Sequence, residues 1–313
     1  MNATPAVSII MNCLNCAADL PEALAGVRAQ TFQDWEIIFW DNGSVDASPG
    51  IAQAFGPQLR YFRSGHTVAL GAARNLALRE AKGRHLAFLD CDDLWLEDKL
   101  ARQLALFEGN PRLGLVCTDT EIFSGAGTLS RVFARAAPAR GRVFRELMQR
   151  QWISMSSAMV RAQALHGLDH WFDERLSLCE EADLFYRIAH DWELDYVDAP
   201  LTRWRVHGAN TTFTKFGRFA QETLYILDKH RRIYPAYEEE YGELVALLTR
   251  RAAFQRGVAL WREGRGAEAR AAVAPYAGGS LKFRLFQAAS YLPGGLFEIL
   301  ARLYFVLPSR LRR

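Results

Sequence analysis

The sequence predicts an α/β fold with a mostly parallel central sheet, followed by a helical C-terminal region. Two observations carry this prediction. Short apolar runs of strand length alternate with helical patterns through residues 1–118, which is the order expected when helices connect the strands of a parallel sheet. From residue 216 onward the pattern is helical, with a break at Tyr234-Pro235. We therefore expect an α/β domain over residues 1–214 and a helical region over residues 215–313.

Each predicted strand of the first half is a short apolar run bounded by turn-forming residues. The five runs are Val7–Met11, Glu36–Trp40, Leu59–Phe62, His85–Leu89 and Leu113–Cys117. Helices are predicted between them, beginning at Asp19 and covering about 69–81 and about 97–107. Asp19 is a suitable N-cap for the first helix, with Pro21 in its first turn, and Gly83 is a suitable C-cap for the second.

The strands and helices no longer alternate regularly in residues 119–214. The predicted elements are a hairpin turn at Phe123–Thr128, a short helix near 143–148, a strand at Ser156–Val160, a helix from Cys179 to about 189, and strands at Tyr196-Val197 and Thr202–Val206. This half therefore resembles an addition to the parallel sheet and not a continuation of it.

Composition favours a folded, cytoplasmic protein. Half of the 313 residues are hydrophobic, which is enough for one large core with an appendage or for two domains. There is no secretory signal, and no segment has the roughly 18 uninterrupted apolar residues of a membrane-spanning helix. The five cysteines are odd in number and scattered, as expected for free thiols in a reducing compartment. Cys13-x-x-Cys16 lacks a second pair or nearby histidines, which argues against a zinc site.

The strongest chemical signal is the acidic loop, Asp90-Cys91-Asp92-Asp93, which follows a buried strand. Packing gives no reason to gather three carboxylates there, whereas a hard divalent cation would offset their repulsion. The alternative is that they solvate a loop and cap the next helix. Polar segments 12–15 and 41–46 also follow predicted strands. Ligands of open α/β sheets bind at the carboxyl ends of the strands, so the three segments together predict a binding site.

Charge is distributed unevenly along the chain. Residues 1–214 carry 21 basic and 26 acidic side chains, whereas residues 215–313 carry 17 basic and 9 acidic ones. A basic C-terminal third suggests an anionic surface as its neighbour, with a membrane favoured over nucleic acid. The segment Gly295–Arg313 mixes apolar residues with arginines, and it fits either a final helix docked on its neighbours or a helix lying on an anionic membrane.

Several motifs of the first half carry a family likeness. They are Asn12–Asn15, Gln30–Glu36, Asp41–Asp46, Gly71–Asn75, Ala81–Arg84 and Phe88–Asp93, with a thinner continuation at Glu180–Asp183 and Arg205–His207. Their order and spacing resemble those of the family 2 inverting glycosyltransferases of GT-A fold, of the bacterial cell-surface glycan type. The resemblance covers about two thirds of the chain and implies that residues 1–118 bind a nucleotide-sugar and residues 119–214 an acceptor.

The resemblance also implies roles for the donor-binding side chains. Asp41 would accept a hydrogen bond from the nucleobase, Arg74 would lie close to the base or diphosphate, and Asp90 would hold the ribose. Asn15 and Asp46 would complete this set. Two alternatives remain open: Asn15 could stabilise its loop through an Asx turn, and Arg74 could be a surface residue of its helix.

A divalent cation, Mn²⁺ or Mg²⁺, is the cofactor that the family likeness implies. Asp92 would ligate the metal that bridges the two phosphates, His207 would complete the site, and Asp93 would support the loop. The alternative for His207 is a structural role, which is the usual one for a lone histidine.

The general base is the least determined assignment. An inverting enzyme needs a carboxylate to deprotonate the acceptor hydroxyl from the opposite face. The family places this aspartate second in an acidic pair, which here is Glu181, one methylene longer. Glu180 and Asp183 remain candidates. Alternatively, all three acids simply favour the positive N-terminus of the helix that follows.

The predicted function is metal-dependent transfer of a sugar to a hydroxyl of a glycan or lipid-linked acceptor. The donor would be a UDP- or dTDP-sugar, since Asp41 can accept a hydrogen bond from the imide N–H of uracil or thymine alike. A sugar nucleotidyltransferase is disfavoured because residues 12–15 contain no glycine or lysine for a phosphate-binding loop. A non-catalytic nucleotide-sugar-binding module stays open, with Glu181 in place of the usual aspartate as its best argument.

Overall fold

A computed structural model describes residues 4–134, 136–207 and 216–293. The chain divides into two compact units, Met1–Asn210 and Thr211–Arg313. The first unit is built on one large sheet and the second is helical throughout its described residues.

The first half of the sheet is parallel, as predicted. Its strands lie in the order β3-β2-β1-β4. Their bounds are β1 Val7–Cys13, β2 Trp35–Asp41, β3 Leu59–Arg63 and β4 His85–Phe88. Each strand matches a predicted apolar run. β1, β2 and β4 are buried along most of their length, as expected for strands covered on both faces, whereas the edge strand β3 is partly exposed.

Helices cover the connections between these strands. They are α1 Leu20–Arg28, α2 Ser48–Gln53, α3 Leu70–Glu80 and α4 Lys99–Gly109. The short helix α2 is not among the predicted ones. Asp19 occupies the N-cap position of α1, but its side chain makes no capping hydrogen bond and lies 3.3 Å from the Arg205 guanidinium instead.

The prediction that Gly83 caps α3 is wrong, because Ala81 is the C-cap. The reason for a glycine at this position is steric. A Cβ atom on Gly83 would lie 2.3 Å from the backbone nitrogen of Ser8 in β1. The Gly83 N–H also donates a hydrogen bond to the Ser8 hydroxyl at 2.8 Å, so the close approach fastens the start of β4 to β1.

The second half of the sheet is mixed. It continues as β4-β8-β6-β9-β5, with β7 paired to β6. The bounds are β5 Leu94–Trp95, β6 Leu113–Ser124, β7 Gly127–Arg131, β8 Met159–Arg161 and β9 Glu193–Arg205. β6 and β9 are parallel to each other, while β8 runs antiparallel to both β4 and β6. The two strands predicted at 196–206 form one long strand because β9 pairs with β6 along most of its length.

Three helices accompany this half of the sheet. They are α5 Phe144–Gln149, α6 Ala162–His166 and α7 Glu180–Asp191. The predicted helices near 143–148 and 179–189 match α5 and α7, and α6 is an addition. The predicted hairpin joins β6 to β7, where Ser124 pairs with Gly127.

The second unit contains four α-helices within the described residues. They are α8 Phe219–Ile233, α9 Tyr237–Arg262, α10 Gly266–Val273 and α11 Leu281–Ala289. Its small core includes Val258, Trp261, Val273 and Phe286. None of the helices among the described residues combines the length and the apolar character needed to cross a membrane. The segment 295–313 lies outside the described residues, so its two interpretations stay predictions.

Candidate active site

The polar segments after β1, β2 and β4 meet at one edge of the sheet. In the parallel register Cys13 pairs with Asp41, and Ile10 pairs with Phe88 two residues before Asp90. The carboxyl ends of the three strands are therefore level. This is the physical basis of the predicted site, since parallel strands send their following loops to the same side.

Arg74 joins the acidic loop to helix α7. One guanidinium nitrogen donates to Asp90 Oδ1 at 3.1 Å and another donates to Glu180 Oε1 at 3.0 Å. Only 3% of Arg74 is exposed, so it is not a surface residue of α3. The buried guanidinium is stabilised by two carboxylates, of which Glu180 is itself buried and Asp90 is partly exposed. The bridge therefore connects residues 1–118 to the part of the sheet-bearing unit that follows them.

Asp92 and His207 form the second pair of the site. The Asp92 Oδ2 and His207 Nε2 atoms lie 3.0 Å apart, and both side chains are partly exposed. In an octahedral site with ligand distances of about 2.1 Å, adjacent ligand atoms are separated by about 3.0 Å. An oxygen and an imidazole nitrogen at this spacing therefore fit neighbouring positions around Mg²⁺ or Mn²⁺.

Contacts of Asp93 hold the end of β9, and with it His207, beside the acidic loop. The Asp93 carboxylate is buried and accepts hydrogen bonds from the Ser156 hydroxyl at 2.6 Å and from the Arg205 backbone N–H at 3.0 Å. The Arg205 side chain also donates to the Asp92 carbonyl at 3.0 Å. Burial, together with the negative charges of Asp90 and Asp92, raises the pKa of Asp93 well above its usual range. Asp93 therefore ties the end of β9 to the acidic loop.

Glu181 has a different environment from the other acids of α7. It is partly exposed and forms no hydrogen bond or ion pair with the described residues. Burial of its carboxyl among protein atoms, reinforced by the charges of Glu180 and Asp90 and opposed by Arg74, raises its pKa to about 8. A group with a pKa close to the working pH can take up a proton and release it.

Glu180 and Asp183 are already engaged in structural contacts. Glu180 is 4% exposed and bonded to Arg74, while its other oxygen, Oε2, is buried without a hydrogen-bond partner among the described residues. Asp183 is fully buried and lies 2.9 Å from the Arg187 guanidinium one turn along the helix. All three acids stand in the first turn of α7, so the helix dipole favours each of them.

The structure places Asp41 behind the rim of the site. It is fully buried; Oδ1 accepts the Ser44 N–H at 2.7 Å, and Oδ2 accepts the Tyr61 hydroxyl at 2.6 Å. Oδ2 also lies 3.0 Å from the Arg63 guanidinium. Contact with a nucleobase would therefore require one of these partners to move. Sequence reasoning missed Tyr61 and Arg63, which come from the neighbouring strand β3.

Asn15 and Asp46 hold two loops of the rim together. Asn15 has a left-handed backbone with φ of 57°, and its side-chain oxygen accepts the Val45 N–H at 2.9 Å. Asp46 accepts the Ala17 N–H at 2.9 Å and the Ser48 N–H at 3.0 Å. Both side chains are exposed enough to meet a ligand, but the contacts observed are with the protein.

Ser156 is a second residue that sequence reasoning missed. Its hydroxyl accepts the Asp90 N–H at 3.1 Å and donates to Asp93. It therefore orients the acidic loop from outside residues 1–118. A serine 66 positions away from Asp90 carries no local signal of this role, so only the tertiary contact reveals it.

Comparison with known proteins agrees with this geometry. The model for the family "Glycosyl transferase family 2" matches residues 8–165, which is half of the chain. The chain belongs to glycosyl transferase family 2. The matched segment contains Arg74 and the acidic loop, whereas Glu181 and His207 lie beyond it.

The chain is also similar to two glycosyltransferases. A predicted glycosyltransferase of Bacillus subtilis (strain 168), EpsH, is 29% identical over 224 residues, covering 65% of this chain and 62% of EpsH. The UDP-Glc:alpha-D-GlcNAc-diphosphoundecaprenol beta-1,3-glucosyltransferase WfgD of Escherichia coli is 32% identical over 105 residues, 33% of this chain and 42% of WfgD. The chain thus matches less than two thirds of the length of either relative.

A solved structure of another protein supports the fold. The mannosyltransferase PcManGT from Pyrobaculum calidifontis, in complex with GDP-Man and Mn²⁺, superposes with a TM-score of 0.61 at 20% identity. The superposition covers 95% of this chain and 84% of PcManGT. Together with the family match, it confirms the predicted GT-A fold.

Proposed function

We propose that this family 2 chain is an inverting glycosyltransferase that acts in cell-surface polysaccharide synthesis. It would move a sugar from a nucleotide-diphospho-sugar to a hydroxyl of a glycan or lipid-linked acceptor. The observation that carries the proposal is the arrangement on one rim of two side chains spaced as metal ligands would be, Asp92 and His207, and of Glu181, whose carboxylate has no hydrogen-bond or ion-pair partner among the described residues. Arg74 links the two halves of this rim through Asp90 and Glu180.

A nucleoside-diphosphate sugar is the donor class that the comparisons favour. The name of WfgD specifies UDP-Glc, and PcManGT binds GDP-Man. We propose a UDP- or dTDP-sugar for this chain. Asp90 would bind the ribose, and Asn15, Asp46 and Arg74 would line the rest of the donor site.

We propose Mn²⁺ or Mg²⁺ as the cofactor, held by Asp92 and His207. When bound, it would neutralise negative charge on the departing diphosphate. The Mn²⁺ present in the PcManGT complex supports this assignment, as does the 3.0 Å separation of the two ligand atoms.

In the transfer step Glu181 would accept the proton of the acceptor hydroxyl. The acceptor oxygen forms a bond to the anomeric carbon on one face while the bond to the diphosphate oxygen breaks on the other, which inverts the configuration. Arg74 would hold Asp90 in position for the donor. The Glu180 Oε2 atom, which is buried and has no partner among the described residues, would accept a hydrogen bond from a substrate hydroxyl.

The lipid-linked acceptor rests on two observations. WfgD acts, by its name, on a diphosphoundecaprenol-linked sugar. The basic C-terminal third of this chain, residues 215–313, would favour the anionic membrane surface on which such acceptors lie.

Donor hydrolysis and transfer by the purified full chain test the proposal. We expect one donor from a panel of UDP-, dTDP- and GDP-sugars to be consumed in the presence of Mn²⁺, and EDTA to stop the reaction. Asp92→Asn should abolish turnover while the circular dichroism spectrum is unchanged. Binding of a donor without turnover on any acceptor would indicate a non-catalytic module instead, and release of pyrophosphate from a sugar phosphate and a nucleoside triphosphate would indicate a nucleotidyltransferase.

A further inference from the structure

Three cysteine side chains, one of them in the acidic loop, lie close together. The sulfur atoms of Cys13, Cys16 and Cys91 all lie within 4.8 Å of one another. Cys13 ends β1, Cys16 follows in the next loop, and Cys91 stands between Asp90 and Asp92. All three are free thiols.

The parallel register explains why Cys91 joins the Cys13-x-x-Cys16 pair. Ile10 of β1 pairs with Phe88 of β4, and both cysteines stand three residues further along. The Cys91 thiol lies 3.3 Å from the carbonyl of Asn12, the residue before Cys13. The sequence around Cys13 and Cys16 shows no third candidate metal ligand. The pairing of β1 with β4 brings Cys91 next to them.

The geometry is that of a thiolate metal site. With Zn–S distances of about 2.3 Å, the sulfur atoms of a tetrahedral zinc site lie about 3.8 Å apart. Movements of less than about 1 Å would bring three sulfurs that are within 4.8 Å into this arrangement. The thiols of Cys16 and Cys91 donate to backbone carbonyls at 3.6 Å and 3.3 Å, so sulfur lone pairs remain available.

Ligand chemistry separates this cluster from the Asp92–His207 pair. Thiolates select Zn²⁺ and other soft cations, whereas oxygen-rich sites suit Mg²⁺ and Mn²⁺. Cys13 and Cys91 are buried, with 1% and 2% of their surfaces exposed, while Cys16 is partly exposed and provides a path for an ion to enter.

We infer that Cys13, Cys16 and Cys91 form a three-thiolate site for Zn²⁺ or a similarly thiophilic cation, distinct from the Mn²⁺ or Mg²⁺ site of the acidic loop. Binding forms three metal–sulfur bonds and releases the three thiol protons to solvent. A water molecule would occupy the fourth position. The bound ion would fasten the loop after β1 to Cys91, and hence hold Asp90 and Asp92 in place.

Titration of the reduced, metal-free full chain with Co²⁺ and then Zn²⁺ tests this site without reference to transferase activity. We expect a sulfur-to-cobalt charge-transfer band in the near ultraviolet that saturates at one ion per chain and is lost when Zn²⁺ displaces Co²⁺. Cys16→Ser, which changes the most exposed of the three thiols, should weaken Zn²⁺ binding by at least about tenfold, since even loss of a residue supporting a ligand costs that much.

Two further variants locate the site. Cys179→Ser changes a buried cysteine outside the cluster and should leave the band and its stoichiometry unchanged, and Asp92→Asn should do the same. The inference is overturned if no charge-transfer band forms, if Cys16→Ser binds the ion with the affinity and band intensity of the unchanged chain, or if the band disappears in Asp92→Asn. Recovery of the three cysteines as a disulfide plus one thiol that binds no metal also overturns it.

Discussion

Among the three acids at the start of α7, Glu181 alone has no partner in the described residues. Glu180 is held by Arg74 and Asp183 by Arg187. Of the three candidates that the sequence leaves open, Glu181 is therefore the one whose carboxylate can meet an acceptor without breaking a buried ion pair.

Glu181→Gln should reduce turnover and leave donor binding intact. A positioned general base contributes about 10²- to 10⁴-fold to a rate, so kcat should fall by this factor. The dissociation constant of the nucleotide-sugar, measured by calorimetry, should stay within about twofold because the change is nearly isosteric. Glu108→Gln, on the exposed side of α4, is the matched control and should keep full turnover. An unchanged kcat in Glu181→Gln would place the base elsewhere.

The pH dependence of turnover should report the same carboxyl. Its pKa is raised to about 8, so Glu181 is mostly protonated at pH 6 and must lose its proton to act as a base. Turnover with saturating donor should therefore rise with pH up to about 8 and then level off. The residual activity of Glu181→Gln should lack this rise. The raised pKa also makes the folded state less stable as pH rises from the ordinary value of 4.5 through 8, and the Gln variant should not lose this stability.

At the scale of elements, the Arg74 bridge connects α3, the acidic loop and α7. These elements are up to 106 residues apart in the chain. The bridge lies beneath the rim, and its two carboxylates come from opposite halves of the fold. Its loss should therefore affect the stability of the unit as well as its activity.

Arg74→Met should destabilise the protein by about 3 kcal/mol, because it leaves the buried carboxylate of Glu180 unpaired. Urea denaturation measures this change. Arg79→Met, on the exposed face of the same helix, should change the free energy of unfolding by no more than about 0.5 kcal/mol. Adding Glu180→Gln to Arg74→Met should recover part of the loss. Equal stability of the two Met variants would show that the bridge is not needed for folding.

Gly83→Ala tests the junction between β1 and β4. Its Cβ atom would meet the Ser8 backbone nitrogen at 2.3 Å, and neither backbone can move without disturbing the sheet. We expect a loss of about 1–3 kcal/mol, as for other cases of overpacking. Gly109→Ala meets no heavy atom within 4 Å and is the matched control for thermal unfolding. A Gly83→Ala protein as stable as this control would contradict the steric explanation.

At the scale of the whole molecule, the charge asymmetry is the main property that the catalytic geometry does not explain. The 17 basic and 9 acidic side chains of residues 215–313 contrast with the acidic balance of residues 1–214. A positively charged third suits an enzyme whose acceptor is embedded in an anionic membrane.

The full chain should therefore associate with vesicles that contain phosphatidylglycerol. Co-sedimentation at 50 mM salt should be strong and should decline at 300 mM salt, because the Debye length shortens and the attraction is screened. Phosphatidylcholine vesicles without anionic lipid are the control and should retain little protein. Equal binding to both kinds of vesicle, or none to either, would contradict an electrostatic membrane contact.

Patterns of adjacent residues were enough to predict the parallel half of the sheet and the family of this protein. The apolar runs at 7–11, 36–40 and 85–89 predicted the parallel half of the sheet, and the family likeness of their following loops is confirmed by the family match. These inferences succeed because strand length, apolar character and strand-end motifs are properties of adjacent residues. The alternation weakens after Cys117, and there the predicted elements are shorter or shifted because long-range pairing of β6 with β9 sets their length.

Tertiary structure decided which side chains share a contact. Only the fold brings Arg74 to Glu180, turns the carboxylate of Asp41 towards Tyr61, and adds Cys91 to Cys13 and Cys16. These contacts join residues from about 20 to more than 100 positions apart, and no local pattern encodes which partner a buried polar group will find. The sequence by itself determined the family, the sheet edge and the acidic loop. Burial and hydrogen bonding decided which of the three acids at the start of α7 has no partner among the described residues, and the fold decided which thiols lie close together.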